Sequence, residues 1–411
     1  MRKTLRRILK VKILFYYLSI ELLVRFLTFI SIPVFTNAWT KEEFGKFSLY
    51  ISILPVASII MDLSQRTAIK RFYLENDNKS FRFILTIYIF CFMWFSLLFS
   101  LSFLFRVKII DPFFTKLILV NSFLLAFIEI FLAYLQISEQ VVLYNLIYFS
   151  RQALPYIFVF LLFLFFGSFS SIIFPLTQMF MFFLIAVLII YFLTKSKGEE
   201  SIIFDINFLK YSLKIGLSVI PAVLSAFALN FADRYMIAYY YSTKEVAEYS
   251  IAYSVAMILS MIVLASNKAW QPFILKSLQK SEIRKIRKYA RLYVLAILII
   301  GIIVSLLSKQ IILFISNTSY LGVSDIVPVI TTGIFFYFLY TLYSNIAFYY
   351  KKMLLFSLPA IVAAVTNIIL NFLLLPIYGY KIAAWTTLIS YLFEFGIIYF
   401  IATKVLKTKL L

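Results

Sequence analysis

The stretch Leu229-Asn230-Phe231-Ala232-Asp233-Arg234-Tyr235 sets an acid and a base side by side inside an otherwise apolar run over 215–241. A charged side chain at the centre of a bilayer costs at least ~2.5 kcal/mol even on the mildest insertion scale, so such a residue marks a functional site by default. Adjacent helical residues point about 100° apart, so Asp233 and Arg234 need not pair. One side chain can face another helix while the other faces a cavity. Asn230 lies one turn before Arg234 and shares a face with Ala222, Ala226 and Asp233, and Pro221 loosens the same helix about three turns earlier. The chain has no histidine and one cysteine, Cys91. Triads built on histidine, His-bound zinc and an internal disulfide are therefore closed to it. Whatever the protein moves or binds, Arg234 is expected to take part.

Two further arginines stand at membrane depth. Glu21 and Arg25 are one turn apart, on one face with Thr28 and Ile32. They form either a self-neutralising pair or part of a binding surface, because a guanidinium keeps donors to spare after meeting one carboxylate. Arg151 shares a stripe with Tyr144, Tyr148 and Pro155 and has no acid within a turn. Its expected partner is Glu129, on a small and polar stripe with Ser122, Ala126, Ala133 and Gln136, and such a bridge is preferred to direct substrate contact. Asp62-Leu63-Ser64-Gln65-Arg66 ends the second apolar run, and Ser266-Asn267-Lys268 stands at the matching place later. Most bases there anchor the chain at the inner surface; Arg66 and Lys268, nearest the membrane, are the exceptions. Asn367 and Asn371 are expected to hydrogen-bond between helices. Glu394 is either a proton or ion site or a lone acid kept neutral by burial. The substrate-binding candidates are thus Arg25, Arg151, Arg234, Asn230, Arg66 and Lys268. Those for ion coupling are Glu129, Asp62, Asp233 and Glu394. No metal site and no cofactor is expected.

The elements that position these residues follow from composition. Of 411 residues, 63% are hydrophobic and only 14% charged, and apolar runs of about 20 residues recur from end to end. The expectation is an all-α polytopic membrane protein with about twelve spans, at 11–36, 45–64, 83–105, 116–137, 142–166, 171–194, 211–237, 245–266, 290–308, 326–350, 353–375 and 381–402. The first run is too long for a signal-peptide core and reads as the first span. Lys and Arg concentrate on one side, which places both termini in the cytoplasm. The net charge of +21 is then an orientation device, helped by anionic headgroups, and not a nucleic-acid footprint. The longest loops, 195–210 and 267–291, are both cytoplasmic. The first is the expected hinge between halves. The second contains KSLQKSEIRKIRKYAR at 276–291, which reads as a basic amphipathic helix on the inner surface.

The halves resemble each other. TKEEFGKFS at 40–48 and STKEVAEYS at 242–250 match at an offset of 202 residues, pairing Glu43 with Glu245 and Phe47 with Tyr249. Six spans per half give a parallel repeat, with lobes at 1–200 and 201–411 related by a pseudo-twofold axis along the membrane normal. No Walker pattern is present, so transport driven by ATP within this chain is excluded.

The segments IPVFTNAWTKEEFGKFSLY, AIKRFYLE, FADRYMIAYYYSTKEVAEYSIA, AWQPF and TNIILNFLLLPIYGYKIAAWTTLISY, in this order and spacing, resemble the polysaccharide flippases, the Wzx-like O-antigen translocases of the MOP superfamily. The resemblance implies two six-helix lobes forming a V around a central cavity, with alternating access. It implies an undecaprenyl-diphosphate-linked oligosaccharide as cargo, moved from the cytoplasmic to the periplasmic leaflet of a bacterial inner membrane. The Asp-Arg-Tyr of the pattern falls on Asp233, Arg234 and Tyr235, and its Arg-Phe-Tyr on Arg71, Phe72 and Tyr73. Ala247 departs from it, standing where the first half has Gly45. A diphosphate in a low-dielectric interior needs compensating charge, and arginine's planar fork of donors suits its oxygens. The partners implied are the lipid-linked oligosaccharide, membrane lipids and other polysaccharide-assembly proteins. Two other functions fit such a chain: an ion-coupled multidrug exporter of the same superfamily, and a membrane-embedded glycan polymerase. The excess of arginine speaks against the first. The short outer loops and the missing histidine speak against the second.

Overall fold

A computed structural model describes residues 2–75, 80–103, 111–167, 169–196, 204–350 and 353–405. Among the described residues the protein is helical, without strands. The first helices are α1 (Arg2–Ala38), α2 (Lys41–Asp62), the short α3 (Gln65–Glu75), α4 (Ser80–Leu101), α5 (Pro112–Ile137), α6 (Val141–Phe166) and α7 (Ile173–Ser196). They are followed by α8 (Ile206–Tyr240), α9 (Thr243–Gln279), α10 (Ile283–Leu306), the short α11 (Ser308–Ile315), α12 (Val327–Tyr349), α13 (Met353–Tyr378) and α14 (Ile382–Phe400). Eleven described helices are long and apolar enough to cross a membrane, and α8, from its pieces Ile206–Pro221 and Val223–Tyr240, makes a twelfth.

Two compact units, Met1–Ile220 and Pro221–Leu411, divide within α8 at the proline. The boundary expected at 200/201 lies outside the described residues. In the first unit α5 is the hub, packed against α2, α3, α4, α6 and α7. In the second, α12 holds that place against α9, α10, α13 and α14. The pairings α2–α5, α5–α7 and α6–α7 recur as α9–α12, α12–α14 and α13–α14. The repeated sequence at 40–48 and 242–250 has a local cause. Thr40 caps α2 by accepting from the Glu43 amide at 3.3 Å. Ser242 caps α9 by accepting from the Lys244 amide at 3.1 Å and donates to Glu245 at 2.5 Å. Both are Ser/Thr-x-x-Glu helix starts, in which side chains satisfy the first backbone donors.

Past these starts the units diverge. After Asp62, Leu63 and Ser64 adopt left-handed backbone (φ 44° and 58°), and the Asp62 carboxylate takes the Ser64 amide at 2.9 Å. A side chain that captures a backbone donor two residues on competes with the helix. The chain then restarts as α3, whose Phe72 stacks on Phe83 at 3.9 Å. The Tyr211 hydroxyl, from α8, donates to Glu75 at 2.6 Å and, with the Arg71 guanidinium, holds that carboxyl below its ordinary range. In the second unit the equivalent stretch does not break, and α9 runs 37 residues to Gln279.

The separate surface helix expected at 276–291 is corrected accordingly. Its residues are shared between the end of α9 and the start of α10. A Schellman turn separates them: Ser281 is left-handed (φ 57°), its amide bonds the Leu278 carbonyl, and the Glu282 amide reaches back to Ser277.

The break after α2 explains one glycine. A Cβ placed on the buried Gly216 of α8 would stand 2.3 Å from the Leu63 carbonyl oxygen. Only a bare backbone fits beside that oxygen. Gly216→Ala is therefore expected to destabilise the first unit by about 1–3 kcal/mol, the usual scale of overpacking, read as a lower unfolding midpoint of the detergent-purified protein.

Candidate functional site

Two polar centres emerge, one in each unit. In the first, α2, α3, α5 and α6 bring four charges into one chain of ion pairs. Arg66 donates through Nε to Asp62 at 2.7 Å and through Nη2 to Ser58 at 3.1 Å. Its Nη1 lies 3.5 Å from Glu129 Oε2. Glu129 also accepts from Arg151 Nη1, closing the α5–α6 bridge. The Arg151 guanidinium lies over the Tyr148 ring at 5.2 Å, and Tyr148 stacks on Tyr144. Asp62 is fully buried and Arg151 nearly so. Lys70, half-buried beside them, is pushed below its ordinary value by burial, which the Glu129 charge opposes. Arg25 instead pairs with Glu21 on its own helix at 2.9 Å, both side chains about one-third exposed. Lys268, the positional counterpart of Arg66, lies exposed on the unbroken α9. The difference follows from the break after Asp62, which turns α3 and Arg66 inward toward α5.

In the second unit, Asp233 and Arg234 part company as their angular spacing allows. Asp233 is 1% exposed and takes three hydrogen bonds from three helices. They come from Tyr249 of α9 at 2.7 Å, Asn371 of α13 at 2.7 Å and Thr387 of α14 at 2.8 Å. Asn371 also donates to Asn367 at 3.1 Å and accepts from Thr386 at 2.6 Å. The Asn367–Asn371 pair thus joins helices, with Asp233 at its centre. Neither Tyr249 nor Thr386 and Thr387 stood out in the sequence as polar-centre residues. A hydroxyl on an apolar helix is common, and only the facing acid makes it matter.

Arg234 turns the other way. Nε donates to Ser250 at 3.1 Å and Nη1 to the Asn230 carbonyl at 2.9 Å, so Asn230 acts through its backbone. The guanidinium carbon lies 4.8 Å from the Tyr253 ring and 5.2 Å from Phe231, contacts that offset part of its desolvation. Among the described residues no carboxylate lies within ion-pair distance of Arg234, and Nη2 makes no hydrogen bond. This buried arginine is held by two neutral acceptors and keeps donors unspent. Glu394 on α14 is likewise 1% exposed, and its Oε2 has no hydrogen-bond partner among the described residues.

The profile of a family described as polysaccharide biosynthesis protein matches residues 11–278. The chain belongs to that family. The family match takes in Asp62, Arg66, Glu129, Arg151, Asp233 and Arg234, while a second profile, MatE, matches 219–373. A relative from Haemophilus influenzae, "Lsg locus putative protein 1", is 22% identical over 402 residues, covering 95% of this chain and 98% of its own. Among solved structures, the lipid II flippase MurJ in an inward closed conformation is 18% identical with a TM-score of 0.61, covering 94% of this chain and 87% of that one. An inward-facing multidrug resistance MATE family transporter of the MOP superfamily is 13% identical with a TM-score of 0.67, covering 90% and 91%. This family member therefore has the fold of MOP-superfamily transporters.

The motif segments can now be assigned work. IPVFTNAWTKEEFGKFSLY supplies a buried aromatic cluster in which Phe35 and Phe47 pack edge-on against each other and against Phe174. FADRYMIAYYYSTKEVAEYSIA and TNIILNFLLLPIYGYKIAAWTTLISY hold opposite sides of the Asp233 network.

Proposed function

We infer that the chain flips an undecaprenyl-diphosphate-linked oligosaccharide repeat unit from the cytoplasmic to the periplasmic leaflet by alternating access, for O-antigen or capsule synthesis. The carrying observation is Arg234, nearly buried with no acid partner among the described residues and with free donors in its fork. Family membership supports a role in polysaccharide synthesis, and the fold is shared with a protein named as a lipid II flippase. In this reading the chain sits in the bacterial inner membrane with both termini cytoplasmic. It performs no covalent chemistry. Arg25, Arg66, Arg151 and Lys268 line the path to lesser degrees, because the first three already meet carboxylates. Coupling falls to Glu394. Asp62 and Glu129 are paired with arginines and Asp233 is held by three donors, leaving Glu394 as the candidate acid with an oxygen unpartnered among the described residues.

The second reading is an ion-coupled multidrug exporter, favoured by the MatE match over 219–373. Proteoliposomes separate the two. Purified protein is expected to move a short-chain, diphosphate-linked oligosaccharide across the bilayer. An imposed proton or sodium gradient should accelerate the flux, and Glu394→Gln should abolish the acceleration while ungated flux persists. Transport of cationic dyes with no movement of the lipid-linked sugar would install the exporter in its place.

A further inference from the structure

A second cationic feature lies apart from Arg234, Arg66 and Arg151, at the start of α10. Arg284, Arg287, Lys288, Arg291, Leu292 and Leu295 line an open groove of about 540 Å³. The lining set holds four bases and no acid. Glu282, the nearest acid in sequence, pairs with Lys285 at 3.0 Å, a residue outside the lining set. Positions 284, 288, 291 and 295 follow one another at helical spacing, so the groove is one face of the helix. At 1.5 Å per residue the bases extend over roughly 10 Å of helix axis, enough to span the headgroup layer of one leaflet, about 5–8 Å deep. Leu292 and Leu295 come next, each about half exposed.

The same face continues into a second cavity. Between α10 and α12 lies a cleft of about 170 Å³, lined by Leu298, Gly301, Ile302, Ser305, Thr331 and Phe335 among others. Gly301 adds no side chain to its lining, and a Cβ there would meet Leu259 and Thr331 at ordinary contact distances of 3.4 and 3.6 Å. Base, apolar rung and apolar cleft therefore follow one another along a single helix face. That order matches the order of parts in a membrane lipid, an anionic headgroup followed by an acyl chain.

We propose that this face of α10 is a binding site for an anionic phospholipid of the surrounding bilayer. The headgroup phosphate lies among Arg284, Arg287, Lys288 and Arg291, and one acyl chain runs over Leu292 and Leu295 into the cleft beside Gly301. The site is independent of what the protein transports, requiring only that α10 stand in a membrane. Four bases at the interface would each favour an anionic over a zwitterionic headgroup, and the cleft adds preference for a chain over a bare phosphate.

Native mass spectrometry of the full-length, detergent-purified protein tests this with phosphatidylglycerol and phosphatidylcholine of identical chains. Phosphatidylglycerol is expected to stay bound under delipidation that strips phosphatidylcholine. The R284Q/R287Q/K288Q/R291Q variant should lose it by at least about tenfold, whereas K276Q/K280Q, which removes bases outside the groove, should not. Ser305→Phe, filling the cleft, should lower retention severalfold. If the fourfold variant cannot be recovered from membranes, R291Q and R284Q/R291Q serve instead, with loss graded by the charges removed. Equal retention of the two lipids, equal loss in K276Q/K280Q, no response to Ser305→Phe, or displacement by millimolar inorganic phosphate would each overturn the assignment.

Discussion

Asp233→Ala is expected to lower the stability of the second unit by about 3–5 kcal/mol. Each buried donor left without an acceptor costs about 1–3 kcal/mol. Tyr249 and Thr387 would lose the acceptor they share, and the Asn371 amide nitrogen would keep only its bond to Asn367. Asp233→Asn should fall between, because an amide returns one acceptor oxygen but presents a donor where two hydroxyls already donate. The check is the unfolding midpoint of purified protein together with its steady-state level in membranes. An Asp233→Ala protein as stable and abundant as the native chain would mean that the three donors are satisfied elsewhere. Arg234 would then lose its claim to a neighbour with a purely structural role.

The second large effect concerns Arg234 itself. Arg234→Ala is expected to reduce transport of the lipid-linked sugar by about 100-fold while the protein still inserts and folds. That is the loss of one or two charge-assisted hydrogen bonds of roughly 1.5–3 kcal/mol each. Arg234→Lys should retain part of the activity, since an ammonium supplies the charge but not the fork. Arg25→Ala should have the smaller effect, because that guanidinium already meets Glu21. Flux in proteoliposomes and surface polysaccharide in cells provide the two measurements. Normal export by both Arg234 variants would remove Arg234 as the phosphate ligand.

The spans were legible because each is an apolar run whose ends are marked by charge, and most edges fall within a few residues of the helices. The exceptions are the basic ends, where helix outlasts the apolar run: α1 starts nine residues before 11, α9 ends thirteen after 266 and α10 starts seven before 290. The capping boxes at Thr40 and Ser242 were visible as a repeat before their cause was known. The break at Leu63 and Ser64 was not legible. It depends on the Asp62 carboxylate turning back on the Ser64 amide and on a glycine in α8 admitting the exposed carbonyl, more than 150 residues away. The split of 276–291 between two helices was hidden too, because the left-handed residue of the turn is a serine and not the glycine that usually announces one. Of the Asp233 network, the sequence displayed Asp233, Asn367 and Asn371 separately. The bonds that join them to Thr386, Thr387 and Tyr249 leave no local pattern.

Those bonds also set an order of events during synthesis. Tyr249 follows Asp233 by 16 residues, but Asn371 and Thr387 follow by 138 and 154. At about 5–20 residues per second, roughly 7–30 seconds pass between the emergence of Asp233 and that of its last two donors. Throughout that interval α8 carries a membrane-depth acid with one native partner. The second unit therefore completes its polar centre only when its last two long helices arrive, and a nascent chain that stops before α13 holds an acid it has no native means of burying.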